Sequence, residues 1–180
     1  MKHIIVTQCM LILVLIICLL IKENRKNKYN LSKYIRLNRM MNRWVQIKQE
    51  GKKITDYTKD RYKTIAIYGL GYAGERLQDE FENDGIKIDY IIDQNANNLA
   101  SSIEIYSMQD ELPEVDLVIV TSIMEFGKIQ RMLGCKIDSE VVSLEEILFE
   151  LYRKSDFKRT RLYCTMLEYQ RRNTLKYVSE

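Results

Sequence analysis

The chain opens on eighteen residues without a charge, IIVTQCMLILVLIICLLI at 4–21, in which Thr7 and Gln8 are the only strongly polar members. Such a run is long enough for a marginal bilayer span, and helical bonding would satisfy its main chain in lipid. It is apolar all round, which argues against a buried soluble helix. From 29 to 50 the pattern changes. Tyr34, Leu37, Met41, Trp44 and Ile47 recur at three- and four-residue spacing with Arg and Lys between them, so a stem helix is predicted, stopped by Gly51. Its apolar face suits either an anionic lipid surface or packing on the rest of the chain.

Beyond residue 61 short apolar runs alternate with helix-period segments. Strands are predicted at 63–68, 86–92 (IKIDYII), 103–106 (IEIY), 117–121 (LVIVT) and 140–143 (EVVS). Helices are predicted at 73–82, with Leu77 and Phe81 inward, at 124–133, and from 143 to about 152. A short helical turn is expected around 107–112. The stretch Ser143-Leu-Glu-Glu146 matches a capping box. Five such alternations argue an α/β fold: a small doubly wound parallel sheet, Rossmann-like, in the order 3-2-1-4-5. The expected organisation is an anchor at 1–21, a basic stem and linker at 22–61, the sheet domain at 62–153, and a basic C-terminal helix at 154–180.

Charge sharpens this division. The net charge of +3 hides segregation: 13 Lys+Arg against 4 Asp+Glu over 22–61, 6 against 18 over 62–150, and 8 against 3 over 151–180. An acidic centre is a poor nucleic-acid surface, so nucleic acid is an unlikely partner. The cations that follow the apolar run, Lys22, Arg25, Lys26 and Lys28, predict a single-pass plasma-membrane protein with its C-terminal part cytoplasmic. A cleaved signal peptide is the competing reading, but the run ends Leu-Leu-Ile-Lys-Glu without a small-residue cleavage signature.

The sole histidine is His3, and the four cysteines form no CxxC pair, so His-based triads, zinc sites and a disulfide framework lack their residues and no metal is expected. The chemistry-bearing motif is Gly69-Leu70-Gly71-Tyr72-Ala73-Gly74, between the first strand and the first helix of the domain. In such a turn the first glycine permits the tight bend, the second lets a phosphate approach the backbone, and the third lets helix and strand pack closely. Asp93 ends the second strand 19 residues beyond Gly74, where a ribose-binding acid is expected, so NAD is favoured over NADP. The alternative role for Asp93 is to cap the following turn. Gln94, Thr121 and Ser122 lie at the same carboxyl edge and complete the predicted cofactor-binding set. The glycines could also serve packing alone.

Residues 62–149, with TIAIYGLGYAGERLQDEF, IDYIIDQN, DLVIVTS and VVSLEEIL, resemble the small Rossmann modules of bacterial surface-polysaccharide and nucleotide-sugar proteins. The resemblance implies a nucleotide or nucleotide sugar as ligand, or a docking module without chemistry, with glycan-assembly proteins as partners. Neither a dehydratase nor an acyltransferase domain follows within these residues. The acid/base pair Tyr-x-x-x-Lys of nucleotide-sugar enzymes occurs only as Tyr29–Lys33, ahead of the domain. No catalytic residue is therefore predicted. Glu125 and Asp93 as a carboxylate pair and Cys135 as a reactive thiol are weak candidates. The expected function is a membrane-anchored module that binds a nucleotide or nucleotide sugar. The alternatives are a minimal NAD-dependent oxidoreductase or sugar-nucleotide enzyme, and a ligand-free scaffold. Self-association is expected through the basic C-terminal segment and the stem.

Overall fold

The computed structural model describes the backbone of residues 2–153 and the side chains of residues 8 and 10–153. The predicted C-terminal helix at 154–180, with the self-association assigned to it, lies outside the described residues. The chain divides into two compact units, Met1–Met40 and Met41–Glu180. One helix, α1 (Lys2–Gln49), accounts for the first unit and runs into the second. The predicted anchor and stem are thus one continuous helix rather than two elements. Among the described residues no helix is long and apolar enough to cross a membrane. The predicted span at 4–21 includes residues 4–7 and 9, whose side chains are outside that description. From Met10 to Ile21, large apolar side chains stand exposed around the helix.

The second unit is built on five parallel strands: β1 (Ile65–Tyr68), β2 (Tyr90–Ile92), β3 (Ile105–Tyr106), β4 (Leu117–Val120) and β5 (Glu140–Ser143). Their order is β3-β2-β1-β4-β5, as the alternation predicted. Parallel strands need crossovers, supplied by α3 (Tyr72–Asn83) between β1 and β2 and by α4 (Phe126–Gly134) between β4 and β5. The first crossover steps toward one edge of the sheet and the second toward the other, so right-handedness puts α3 and α4 on opposite faces. A last helix, α5 (Leu144–Arg153), follows β5.

Every residue of β1, β2 and β4 is buried, as expected for strands covered on both faces. One face carries Ala66, Tyr68, Tyr90, Ile92, Val118 and Val120 against Ile129 and Leu133 of α4. The alternate residues Ile65, Ile67, Ile91, Leu117 and Ile119 face the other way, each 0–2% exposed. Burial of each such side chain contributes about 2 kcal/mol.

The turn expected around 107–112 forms as a single turn after β3, with the Asp110 N–H donating to Ser107 O (3.2 Å) and with Asp110 Oδ2 and Ser107 Oγ accepting from nearby main-chain N–H groups. Two expectations need correction. The predicted strand at 86–92 keeps only Tyr90–Ile92. The linker 52–61 contains a short helix, α2 (Thr55–Thr58).

Candidate functional site

The register sets the site. Tyr68 pairs with Ile92 on one side and with Val120 on the other. Residues 69, 93 and 121 therefore leave the sheet side by side at its carboxyl edge. The strand order reverses between β1 and β4, and ligands of open α/β sheets bind in the crevice at such a switch point. The turn is held down by main-chain bonds: the Gly69 N–H donates to Ile92 O (2.8 Å) and the Thr121 N–H to Tyr68 O (3.0 Å).

The three glycines of the turn have different reasons to be there. Gly69 has φ of +96°, and a Cβ on it would stand 2.7 Å from Thr121 Oγ1. Gly74 is required by packing, because a Cβ there would lie 2.1 Å from the carbonyl oxygen of Gly69. Gly71 meets neither demand. Its φ is −86°, open to any residue, and a Cβ on it would have no neighbour within 4 Å. Packing thus explains the first and third glycines but not the second. The open space over Gly71 is the place where the motif needs a phosphate to approach.

Gly71 is also the N-cap of α3, and no side chain caps that helix end. The N–H groups of Tyr72, Ala73 and Gly74 open the helix without intrahelical acceptors. They lie at the positive end of the helix dipole. The segments 69–74, 93–98 and 121–126 contain no Lys or Arg. The donors these segments offer an anion are main-chain N–H groups and uncharged side chains such as Gln94 and Ser122.

The other predicted residues fall into two groups. Leu70, Tyr72, Gln94 and Ser122 border the turn, with Tyr72 82% exposed and Ala73 buried beneath it. The Gln94 side-chain amide lies 3.4 Å from the Tyr68 hydroxyl as donor. Asp93 and Thr121 hold the turn itself. Asp93 Oδ2 accepts from the Leu70 N–H and Oδ1 from the Asn95 N–H, both at 2.8 Å. The capping role of Asp93 is therefore realised, and each oxygen keeps a second lone pair. The buried Thr121 hydroxyl lies 2.8 Å from Gly69 O and 3.1 Å from Tyr68 O, and donates between them. Its contribution is to position the turn.

Glu125 is the N-cap residue of α4, beside the same edge. Cys135 is exposed at the far end of that helix, about 15 Å from Glu125 at 1.5 Å per residue, and does not join the site. The capping box forms: the Glu145 N–H donates to Ser143 Oγ (3.2 Å) and the Ser143 N–H to Glu146 Oε2 (3.3 Å).

Sequence reading missed a second polar centre at the tail of α3. Glu80 is buried and accepts from Trp44 Nε1 (2.8 Å) and the Ile54 N–H (2.7 Å), with Lys48 Nζ at 3.0 Å. One turn on, Asp84 accepts from Lys53 Nζ and Thr55 Oγ1. Those two bonds, the lysine's first, hold its carboxyl below the usual range. The available signal was position: Glu80 and Asp84 continue the inward 77, 81 stripe of α3.

The chain matches no protein-family model, no curated protein and no solved structure.

Proposed function

We propose that the chain is a membrane-tethered, Rossmann-like module that binds a nucleotide or nucleotide sugar at the turn Gly69–Gly74, as an accessory or sensing part of surface-glycan assembly. The observation that carries the reading is Gly71. The fold demands glycine at 69 and 74 by sterics, whereas at 71, where glycine is one of several suitable N-cap residues, it makes no steric demand and a ligand would use the missing side chain. The main-chain N–H groups of residues 71–74 would hold a phosphate. Asp93 would accept from ribose hydroxyls through its remaining lone pairs while it holds the turn, and so favours NAD or a UDP-sugar over NADP. The glycan-assembly context comes from the sequence resemblance alone.

The tether is supported by the apolar side chains exposed around α1 from Met10 to Ile21 and by the cations that follow them. The reading assigns no catalytic step: neither Thr121, engaged with the turn, nor Ser122 has an identified base.

The test is thermal unfolding of the full chain in detergent with NAD, NADP, UDP-sugars, coenzyme A and ATP, beside Gly71→Val. A ligand at 100 times its dissociation constant adds about 2.7 kcal/mol. A rise with one of them, absent in a folded Gly71→Val, supports the reading. No rise with any of them from a folded sample overturns it in favour of a scaffold.

A further inference from the structure

The two ends of the basic stretch of α1 have different surroundings. From Trp44 on, the apolar face of the helix is buried in the second unit, with Trp44 5% and Ile47 0% exposed. Packing on the protein takes that end of the stem. At the other end every residue from Lys22 to Tyr29 is exposed. At 100° per residue, Leu15, Lys22, Arg25, Lys26, Tyr29 and Lys33 fall within one arc of about 100°. A single face of the helix thus passes from exposed hydrocarbon, with Leu15 60% exposed, to cations within two turns. Glu23 is the only acid between Lys22 and Gln49, and it lies outside that arc.

Two features say what this face meets. The first is charge: the exposed stripe carries cations and no carboxylate, so its complement is an array of anions. The second is depth. The cations begin one residue after the apolar run ends at Ile21. Lys22 to Lys26 covers about 6 Å of helix axis, which fits the headgroup layer that flanks a bilayer's hydrocarbon core. Tyr29, 47% exposed on the same face, is of the amphipathic type enriched at membrane–water boundaries. A nucleic acid or an acidic protein makes no use of the adjoining apolar run, whereas a bilayer requires it. Lys28, Arg36 and Arg39 have partners within the chain and are not counted in the surface.

We propose that Lys22, Arg25 and Lys26 bind the phosphate-bearing headgroups of an anionic lipid surface. The inference rests on the tether in the reading above and is independent of nucleotide binding. Each such cation near the surface favours anionic over zwitterionic lipid.

Spin-labelled lipids test it, with the full chain reconstituted in phosphatidylcholine vesicles. The motionally restricted fraction of labelled phosphatidylserine is compared with that of labelled phosphatidylcholine. A preference of about three- to fivefold for phosphatidylserine is expected at low salt, falling toward one at about 1 M salt. Lys22→Gln, Arg25→Gln and Lys26→Gln together are expected to abolish it. The same loss of charge at the exposed Lys59, Lys87 and Lys128 is expected to leave it unchanged. No preference in the native chain, a preference that survives the first set of substitutions, or an equal loss with the second set overturns this inference while the tether stands. A chain that fails to float with phosphatidylcholine vesicles overturns the tether, and this inference with it.

Discussion

The indole N–H of Trp44, in the last turns of α1, donates to the buried carboxylate of Glu80 in α3 at 2.8 Å. That bond, with those from the Ile54 N–H and Lys48, leaves Glu80 as the acceptor on which three elements converge. Glu80→Ala strands an indole and a main-chain donor away from water, at a cost of about 3 kcal/mol. Glu80→Gln keeps a carbonyl acceptor and is expected to cost less than half as much. Urea denaturation of the two variants checks the order.

The glycine turn gives a sharper contrast. Gly74→Ala drives a methyl into the Gly69 carbonyl, which backbone cannot yield, and is expected to destabilise the domain by about 3 kcal/mol or prevent folding. Gly71→Ala meets open space at an ordinary φ and is expected to change stability by less than about 1 kcal/mol, because the lower entropy of the unfolded chain is offset by alanine's poorer N-cap. Melting curves of the pair separate a turn glycine that serves packing from one that does not.

Thr121→Val keeps the shape of the side chain but removes the hydroxyl that donates to the Gly69 and Tyr68 carbonyls. A loss of about 1 kcal/mol is expected. Asp93→Ala removes acceptors from both Leu70 and Asn95, and a loss of about 1–2 kcal/mol is expected. Hydrogen exchange of the Leu70 and Asn95 amides reads the second effect directly: both should exchange faster in Asp93→Ala, and neither in Thr121→Val.

At the opposite, amino edge of the sheet, Asp116 Oδ2 accepts from the main-chain N–H groups of Lys63 and Thr64, while its own N–H donates to Thr64 Oγ1. The Thr64 amide first, and then that of Lys63, hold this carboxyl below its ordinary 3.8. Asp84 is lowered as well, by Lys53 and Thr55. A carboxyl lowered on folding contributes stability that is complete above its unfolded pKa and is lost as pH falls through the folded value. Stability from this pair is therefore expected to be level above about pH 6 and to fall below pH 3.8. Asp116→Asn should flatten part of that acid limb, as read by denaturant midpoints across the range.

Strands β1, β2 and β4 were legible because each is a short apolar run with a glycine or an acid at one or both ends, and burial on both faces suits such runs. Strand order followed from the crossover rule. The turn was legible as a motif, but the unequal duties of Gly69, Gly71 and Gly74 depend on where Thr121 and the Gly69 carbonyl sit, 47 or more residues away in the case of Thr121. Glu80 stayed hidden for the same reason, since its partners Ile54 and Trp44 are 26 and 36 residues distant. The continuity of α1 was concealed by a change of composition at residue 22, which reads as a boundary although helical bonding runs through it.

Trp44 is the sole tryptophan of the chain, and it is buried with its indole nitrogen against a carboxylate. Emission excited at the red edge of protein absorption therefore comes from one known spot, at the tail of the helix that Gly71 caps. The protein holds its own optical probe: a shift in that emission on adding a nucleotide would report, without any label, a rearrangement carried from one end of α3 to the other.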